Sequence, residues 1–390
     1  MRICWHTSSV ASFRGRRARL IARVGIIFAG LVLLHFQLLH LPYFWDEAGY
    51  YIPAALDFYR HGYLIPHTTV PSGHTPLLMI YLGLLWRLFG FHEVVTRMAM
   101  LLIAASTVAT TYLLGKAVAG RETGIWAALL LAVSPLFFAQ SSLALLDLPA
   151  ACFTALAVLF LLEDRSLLFA LAGIGAVMSK ETAVVMLPVM WGFALIGRKE
   201  RRWGAWTALI APIVALGAWA VYYHHETGFW TGNPQYLQYN LYSTLAPLHI
   251  LRSFVARCYE VLAQGFNWLL TAGAVAGIWR MRKSGHAGKI VNRLHGAGRP
   301  VSICSPFRVL AISLIVAYVV MLSFVGGAVL SRYMLPVVPL YFILTLDLIR
   351  LLPGVPSRAV FDNPLSPFRE SVASPFALPL RTALSAAKRL

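Results

Sequence analysis

Charged residues are scarce in this sequence of 390 residues. Only 12% of the residues are Asp, Glu, Lys or Arg, and 59% are apolar. A soluble globular domain has about 45–50% apolar residues. The composition therefore excludes a soluble globule and predicts an integral, all-α membrane protein that crosses the bilayer several times.

Cysteine pairs and nucleotide-binding motifs are also missing. The four cysteines, Cys4, Cys152, Cys258 and Cys304, are scattered without a CxxC pair, so the sequence predicts neither a disulfide framework nor a zinc site. Neither a P-loop nor a GxGxxG phosphate fingerprint is present, which leaves a nucleotide-bound donor without an obvious binding site.

Acidic residues are half as frequent as basic ones. The 33 basic and 15 acidic residues give a net charge of +18, which on its own would suggest nucleic-acid binding. The basic residues, however, lie in short clusters between apolar runs, as the orientation signals of membrane proteins do. We therefore expect no nucleic-acid partner.

The apolar runs define the organisation of the chain. Arginines precede the first run, Val24–Leu41, which reads as an uncleaved anchor and places the N-terminus in the cytoplasm. We predict a basic cytoplasmic N-terminus (1–19), a transmembrane domain (20–352) of about ten crossings with a first outer loop at 42–94, and a tail (353–390) rich in Pro and Ser. The tail lacks a periodic apolar face and is predicted to be cytoplasmic and disordered.

The first outer loop opens with an acidic pair, Asp46 and Glu47, beside Tyr50. Core packing does not explain two adjacent carboxylates at the end of an apolar helix, so we interpret them as part of an active site. Residues 46–61 are of mixed polarity and predict an interfacial helix on the outer leaflet. Leu77–Phe91 spans only about 15 residues and predicts a second interfacial helix rather than a crossing.

Lys180 and Glu181 interrupt an otherwise continuous apolar stretch. Because basic clusters flank the stretch on both sides, it must cross the membrane an even number of times, with the two charges at the outer tip of a hairpin. Each arm is about 20–23 Å long, against about 30 Å of hydrocarbon, so the tip should lie in a recess. A lysine there needs either an acidic partner, Glu181 or Asp147, or an anionic ligand.

Asp147 and Arg332-Tyr333 stand alone at other outer turns. Asp147 precedes a helix start and could act as an N-cap, as a pocket residue, or as both. Arg332 could extend to lipid headgroups or could bind a substrate phosphate with two hydrogen bonds.

Four histidines lie in the first outer loop, but their spacings match no strong zinc signature; they are His61, His67, His74 and His92. A divalent metal ion held jointly by Asp46, Asp147 and a histidine stays an open alternative.

These outward-facing charges indicate a reaction at a phosphate. A carboxylate can act as the base toward an acceptor hydroxyl or amine, while Lys and Arg stabilise a phosphate leaving group. A phosphate reached from within the bilayer implies a lipid carrier. The alternatives are a transporter or flippase with Asp147 and Lys180 as a coupling pair, although no inverted repeat is visible, and a non-catalytic scaffold.

A family resemblance rests on five short elements in a fixed order. They are Asp46-Glu47 followed by Tyr50 and His61-Gly62, then His74-Thr75-Pro76-Leu77, Ser134-Pro135-Leu136 with Leu146-Asp147-Leu148-Pro149, Ser179-Lys180-Glu181-Thr182, and Arg332-Tyr333-Met334-Leu335-Pro336. Over residues Pro42–Leu344 the sequence thereby resembles the GT-C glycosyltransferases of family 39, which include protein O-mannosyltransferases and lipid A aminoarabinose transferases.

The resemblance implies a GT-C-like fold and an inverting transfer from a polyprenyl-phosphate sugar to a protein, lipid or glycan acceptor. It implies that Asp46 is the catalytic base or its immediate partner, with Glu47 beside it. It further implies that Asp147 lines the sugar pocket or helps to hold a cation, that Lys180 contacts the phosphate, and that Arg332 or Tyr333 closes the carrier side.

The same resemblance places Tyr50 among the substrate-binding residues and His74 at the acceptor-side entrance. Thr75 and Glu181 depart from the family, where a proline and a small residue are usual. With its positive-inside pattern, the chain is expected in a bacterial inner membrane with its active site facing the periplasm.

Overall fold

The computed structural model describes residues 8–197, 203–283 and 305–352, and within these ranges the chain is helical, without a β-strand. Parts of two predicted segments, residues 1–7 of the basic N-terminus and the whole tail 353–390, lie outside the described residues. The all-α prediction is thus confirmed for the described chain.

The helices are numbered in chain order. They are α1 (Ser8–Leu34), α2 (Ile52–His61), α3 (Leu77–Phe89), α4 (Glu93–Ala119), α5 (Arg121–Val133), α6 (Pro135–Gln140), α7 (Asp147–Leu162), α8 (Ser166–Ser179), α9 (Met186–Gly197), α10 (Trp203–Thr227), α11 (Pro234–Asn240), α12 (Pro247–Leu262), α13 (Asn267–Lys283), α14 (Pro306–Phe324) and α15 (Val338–Ile349). Shorter 3₁₀ or π turns occupy Phe36–Leu38, Glu47–Tyr51, Glu181–Val185, Tyr242–Thr244 and Ser331–Val337.

Several helices are long and apolar enough to cross a membrane. Among the described residues, four segments meet this criterion, and α12 with α13, bent by 82°, makes a fifth if the pair is one broken span. The four are Glu93–Ala119, Thr207–Thr227, Pro306–Phe324 and Ser331–Ile349. Shorter apolar helices accompany them, so membrane insertion is clear, while the predicted count of about ten crossings stays a prediction.

Helix α4 lies at the centre of the bundle, where it packs against α1, α5 and α7. Its crossing with α5 depends on glycine: a Cβ atom on Gly124 would lie 2.5 Å from the carbonyl oxygen of Tyr112. Small residues let membrane helices approach closely and gain van der Waals contact. This approach fixes α4, which carries Arg97 at the end of the bundle where Glu47 lies.

The predicted break at Lys180 is confirmed. Lys180 adopts an extended backbone (φ −154°, ψ 125°) that ends α8, and a 3₁₀ turn then leads into α9. Helix α8 packs mainly on α7 and α10, whereas α9 packs on α14. The two arms therefore diverge and hold the Lys180 turn between separate parts of the bundle.

The first outer loop folds largely as predicted. A π turn, Glu47–Tyr51, continues into α2, which ends at Gly62 in a left-handed conformation (φ 77°) that favours glycine. Asp57 accepts hydrogen bonds from the backbone N–H of His67 (2.7 Å) and Thr68 (2.9 Å). These bonds tie the following loop to α2. The second predicted helix is α3, which ends before Gly90.

Candidate active site

Asp46 and Arg332 come from opposite ends of the chain and form an ion pair. Asp46 precedes the π turn of the first outer loop, and Arg332 lies on the 3₁₀ turn Ser331–Val337 that leads into α15. Arg332 donates a hydrogen bond from Nη2 to Oδ2 of Asp46, while its Nε lies 3.6 Å from Oδ2 of Asp147. One guanidinium thus faces both acids.

Lys180 completes the arrangement. Its Nζ donates to Oδ1 of Asp147 at 2.6 Å, and both side chains are nearly inaccessible, with exposures of 8% and 4%. We call Asp46, Asp147, Lys180 and Arg332 the ionic cluster. Its two negative and two positive charges balance, which offsets the cost of removing each charge from water.

Tyr333 provides an aromatic surface for the cations. Lys180 Nζ lies 4.0 Å from the centre of its ring, and the guanidinium carbons of Arg257 and Arg332 lie at 5.4 and 5.5 Å. Cations are attracted to an aromatic ring at such distances, most strongly where water is excluded. Tyr333 therefore gathers three positive charges beside the two acids.

Arg257 is a site residue that sequence reasoning missed. It lies on α12, is fully buried, and donates to the carbonyl oxygen of Leu330 (2.7 Å) and to Glu260 (3.0 Å). In the described chain the Nε–H groups of Arg257 and Arg332 have no hydrogen-bond partner. Buried donors are normally paired, so these two groups leave hydrogen-bonding capacity unused. The available signal was an arginine with a glutamate, Glu260, three residues later on the same side of the helix.

Glu47 faces away from the ionic cluster. Its Oε1 accepts from Arg97 at 2.5 Å and from the backbone N–H of Ala144 at 2.6 Å. Arg97 also donates to the carbonyl oxygen of Ser142 at 2.9 Å, and the Arg97 and Glu47 side chains are 0% and 2% exposed. This buried pair joins the Asp46 loop to the segment that leads into Asp147, and both oxygens of Glu47 accept hydrogen bonds from Arg97.

His74 and Glu181 form a second pair beside the cluster. Nδ1 of His74 lies 3.1 and 3.0 Å from the two carboxylate oxygens of Glu181. The sequence left Glu181 and Asp147 open as partners of Lys180, and the structure selects Asp147. The ring of Tyr51 lies 6.0 Å from that of His74.

Tyr51 connects this pair electrostatically to the cluster. Burial, reinforced by the negative charge of Asp147, raises the pKa of Tyr51 well above its ordinary value. Its hydroxyl group therefore stays protonated and can donate a hydrogen bond. Tyr50 is 44% exposed and lines a narrow cleft with Tyr51 and His74.

These contacts bear on two alternatives that the sequence left open, a capping role for Asp147 and a metal ion held by Asp46 and Asp147. Asp147 is the first residue of α7, its side chain makes no capping hydrogen bond, and Leu146 is the N-cap; capping alone is therefore wrong. A metal ion shared by Asp46 and Asp147 does not fit, because Lys180 and Arg332 already direct positive charge at both carboxylates. The described residues contain no group of three or more side chains that could hold a metal ion.

The arrangement can bind an anion next to a carboxylate. Three cations, Lys180, Arg257 and Arg332, lie against the ring of Tyr333, and the side chain of Asp46, which pairs with Arg332, is 23% exposed. Fixed donors in a desolvated site stabilise developing negative charge more strongly than water does.

Over the residues that the structure describes, the fold is that of a polytopic, all-α membrane protein. The family model described as dolichyl-phosphate-mannose-protein mannosyltransferase matches residues 73–223, a segment that contains His74, Asp147 and Lys180 but not Asp46 or Arg332. The resemblance to this family, which the sequence indicated, is thereby confirmed.

The fold is similar to that of ArnT from Cupriavidus metallidurans. For ArnT bound to undecaprenyl phosphate the TM-score is 0.56 at 15% identity, over 85% of this chain and 59% of ArnT. For ArnT in the apo state the TM-score is 0.54 at 16% identity, over 82% of this chain and 58% of ArnT. The chain thus spans less than two thirds of the length of ArnT. No curated protein sequence matches it significantly.

Proposed function

We propose that this protein is a membrane glycosyltransferase that moves a sugar from a polyprenyl-phosphate carrier to an acceptor. The acceptor is a protein, a lipid or a glycan with a nucleophilic hydroxyl or amine. The observation that carries the proposal is the position of Arg332, which pairs with Asp46 and faces Asp147. One site therefore holds both a candidate base and the positive charge that a phosphate leaving group needs.

In the proposed reaction, Asp46 takes the proton from the acceptor as its oxygen or nitrogen attacks the anomeric carbon. The bond between that carbon and the phosphate oxygen breaks, and the carrier phosphate leaves with the electron pair. Attack from the side opposite the phosphate inverts the anomeric centre. Lys180 and Arg332 stabilise the leaving phosphate, and the positive charge of Arg257, which lies against the same Tyr333 ring, adds to theirs.

The proposal gives the acids different roles. Asp46 is the base, because its carboxylate is partly exposed. Asp147 orients Lys180 through their 2.6 Å hydrogen bond and lines the sugar pocket. Glu47, which the sequence placed with Asp46 in catalysis, instead fixes the loop through Arg97. Tyr50 lines the outer cleft.

The proposed location is a bacterial inner membrane with the site on the periplasmic side. The support is the distribution of positive charge, since Arg and Lys clusters flank the ends of apolar helices opposite to the Asp46 loop. The ionic cluster would then meet a carrier phosphate at the outer membrane surface.

The experiment that tests the function uses membranes with a polyprenyl-phosphate sugar labelled in the sugar. The wild-type protein should transfer label to membrane acceptors, and Asp46→Asn should lower this rate by about 10²–10⁴-fold, the usual contribution of a general base. Glu226→Gln is the matched control, because Glu226 is an acid at the C-terminal end of α10 with a 45% exposed side chain. Normal transfer by Asp46→Asn would contradict the role of Asp46 as the base. Uptake of the labelled compound into proteoliposomes without a covalent product would show that the protein is a transporter instead.

A further inference from the structure

His74 and Glu181 make a contact that the proposed transfer reaction does not use. The two residues are 107 positions apart, on the loop before α3 and on the turn after Lys180. The His74 side chain is 13% exposed and that of Glu181 33%. The pair therefore lies at the boundary between the protein interior and the outer cleft.

The contact orients the imidazole ring. Nδ1 meets both carboxylate oxygens, and an imidazole that donates Nδ1–H to a carboxylate keeps its lone pair on Nε2. Among the described residues Nε2 has no hydrogen-bond partner, and it is not one of the fully enclosed unpaired atoms. An oriented, accessible nitrogen acceptor is thus presented to the cleft.

The surroundings hold the ring in place. The Tyr51 ring lies 6.0 Å away and the Tyr236 ring packs edge-on at 5.6 Å. His74 also lines the cleft that contains Tyr50, Thr69 and Ser72. Tyr51 also lines this cleft and is close enough to Asp147, Arg332 and Asp46 for their charges to act on its hydroxyl group.

The charged and titratable groups that face the pair are Lys180, Tyr51 and Tyr236. Burial alone would raise the pKa of Glu181, but the hydrogen bond from His74 and the positive charge of Lys180 lower that pKa. Glu181 is therefore a carboxylate at physiological pH and keeps its orienting contact.

We propose that His74, oriented by Glu181, positions the acceptor: Nε2 accepts a hydrogen bond from an O–H or N–H group of the substrate that receives the sugar. The inference rests on the proposed function and names the acceptor side of the same site. It selects acceptors that carry hydroxyl or amine donors close to the nucleophile, such as sugars or hydroxylated side chains, over apolar ones.

Glu181 distinguishes this chain from the family that its sequence resembles. The family that the sequence resembles has a small residue at this position, which cannot orient His74. In this chain the residue at this position is a glutamate, and both of its carboxylate oxygens lie within hydrogen-bond distance of His74 Nδ1. Acceptor positioning through His74 is therefore expected to depend on Glu181.

The test separates sugar transfer from sugar release to water. Membranes with the full-length protein receive a polyprenyl-phosphate sugar labelled in the sugar, and label is counted both in membrane glycoconjugates and as free sugar. Water needs no positioned binding site. His74→Gln should therefore lower transfer by about 10–100-fold, as loss of an orienting partner does elsewhere, and leave the release of free sugar unchanged.

Glu181→Gln should also lower the rate of transfer. The double variant should transfer sugar as fast as His74→Gln alone, because both substitutions remove the same contact and their effects are therefore not additive. The matched control is His225→Gln, which disrupts a similar histidine–glutamate pair at 3.1 Å whose histidine side chain is 82% exposed. This variant should behave as the wild type.

Two results would overturn the inference. Unchanged transfer in His74→Gln would remove His74 from acceptor binding, and an equal fall of transfer and free-sugar release would assign the pair to donor binding or to folding. Free imidazole added to His74→Ala should restore transfer, which a purely structural role would not allow. Absence of both transfer and release in the wild type would instead refute the proposed function.

Discussion

Arg332 donates a hydrogen bond to Asp46 across 286 residues of sequence. The same guanidinium lies 3.6 Å from Asp147 through its Nε. Asp46, the proposed base, and Arg332, the residue proposed to bind the phosphate, therefore form an ion pair before any substrate binds. A carrier phosphate that binds Arg332 competes with Asp46 for its N–H groups, so donor binding and the freeing of the base are linked.

Arg332→Lys tests the planar geometry of this contact. Lysine keeps the positive charge but loses the fork that faces both acids. Because a hydrogen bond to a charged group contributes about 1.5–3 kcal/mol, we expect kcat/KM for the donor to fall by about 10- to 100-fold. Arg350→Lys is the control, since Arg350 makes a similar pair with Glu122 elsewhere. Equal activity of Arg332→Lys and the wild type would argue against a two-point contact.

Lys180→Met tests the buried ion pair with Asp147. Removal of one partner from a buried pair costs about 3–5 kcal/mol; here the cost should lie at the lower end, because Arg332 still faces Asp147. The double variant Lys180→Met with Asp147→Leu should recover the melting temperature of the purified protein but not the binding of polyprenyl phosphate. Recovery of both would show that the pair serves folding alone.

Glu47→Gln tests the division of labour between the adjacent acids. The change leaves the fully buried Arg97 without its negative partner, so the melting temperature should fall, with a cost of about 3–5 kcal/mol. Asp46→Asn should lower the melting temperature much less, because Asp46 is partly exposed. Glu93→Gln, at a 42% exposed side chain, is the control. A catalytic defect in Glu47→Gln at normal stability would return Glu47 to a chemical role.

Glu181→Gln tests the pH dependence of the His74 contact. The pKa of Glu181 is lowered from 4.5 in the unfolded chain to about 2, so its stabilisation is fully present above about pH 4.5 and is lost as the pH falls toward 2. The difference in melting temperature between wild type and Glu181→Gln should be present at pH 5 and should shrink below pH 4.5. A difference that stays constant to pH 3 would contradict the lowered pKa.

Cysteine labelling tests the orientation in the membrane. In a cysteine-free background, Tyr63→Cys in the first outer loop (44% exposed) should react with a membrane-impermeant maleimide added to intact cells. Arg121→Cys, an exposed position at the start of α5, should react only after permeabilisation. Labelling of both positions from the same side would refute the proposed topology.

Much of the local structure follows from sequence alone. The mixed run after Asp46 becomes the π turn and α2, Gly62 ends that helix with a positive φ, and the charges at 180 and 181 interrupt the apolar stretch. These features depend on neighbouring residues, because glycine conformation, helix length and apolar composition act within a few turns of chain.

The sequence did not predict which charged residues pair with each other. The sequence left Glu181 and Asp147 open as partners of Lys180. In the fold the extended backbone at Lys180 directs it to Asp147, while Glu181 turns to His74. Arg97 and Arg257 also escaped notice, because a charge in an apolar helix shows its role only once its partners on other helices are in place.

The sequence by itself determined that this chain enters a membrane, where its apolar helices break, and which few charged residues are too costly in the bilayer to lack a role. Each of these conclusions follows from transfer free energy and helix geometry, which are properties of short segments. Only the tertiary structure decided that Asp46 meets Arg332, that Glu47 is held by Arg97, and that His74 is oriented by Glu181. The physical reason is that an ion pair forms at a distance of a few ångströms, and helix packing alone sets that distance for residues that lie far apart in the chain.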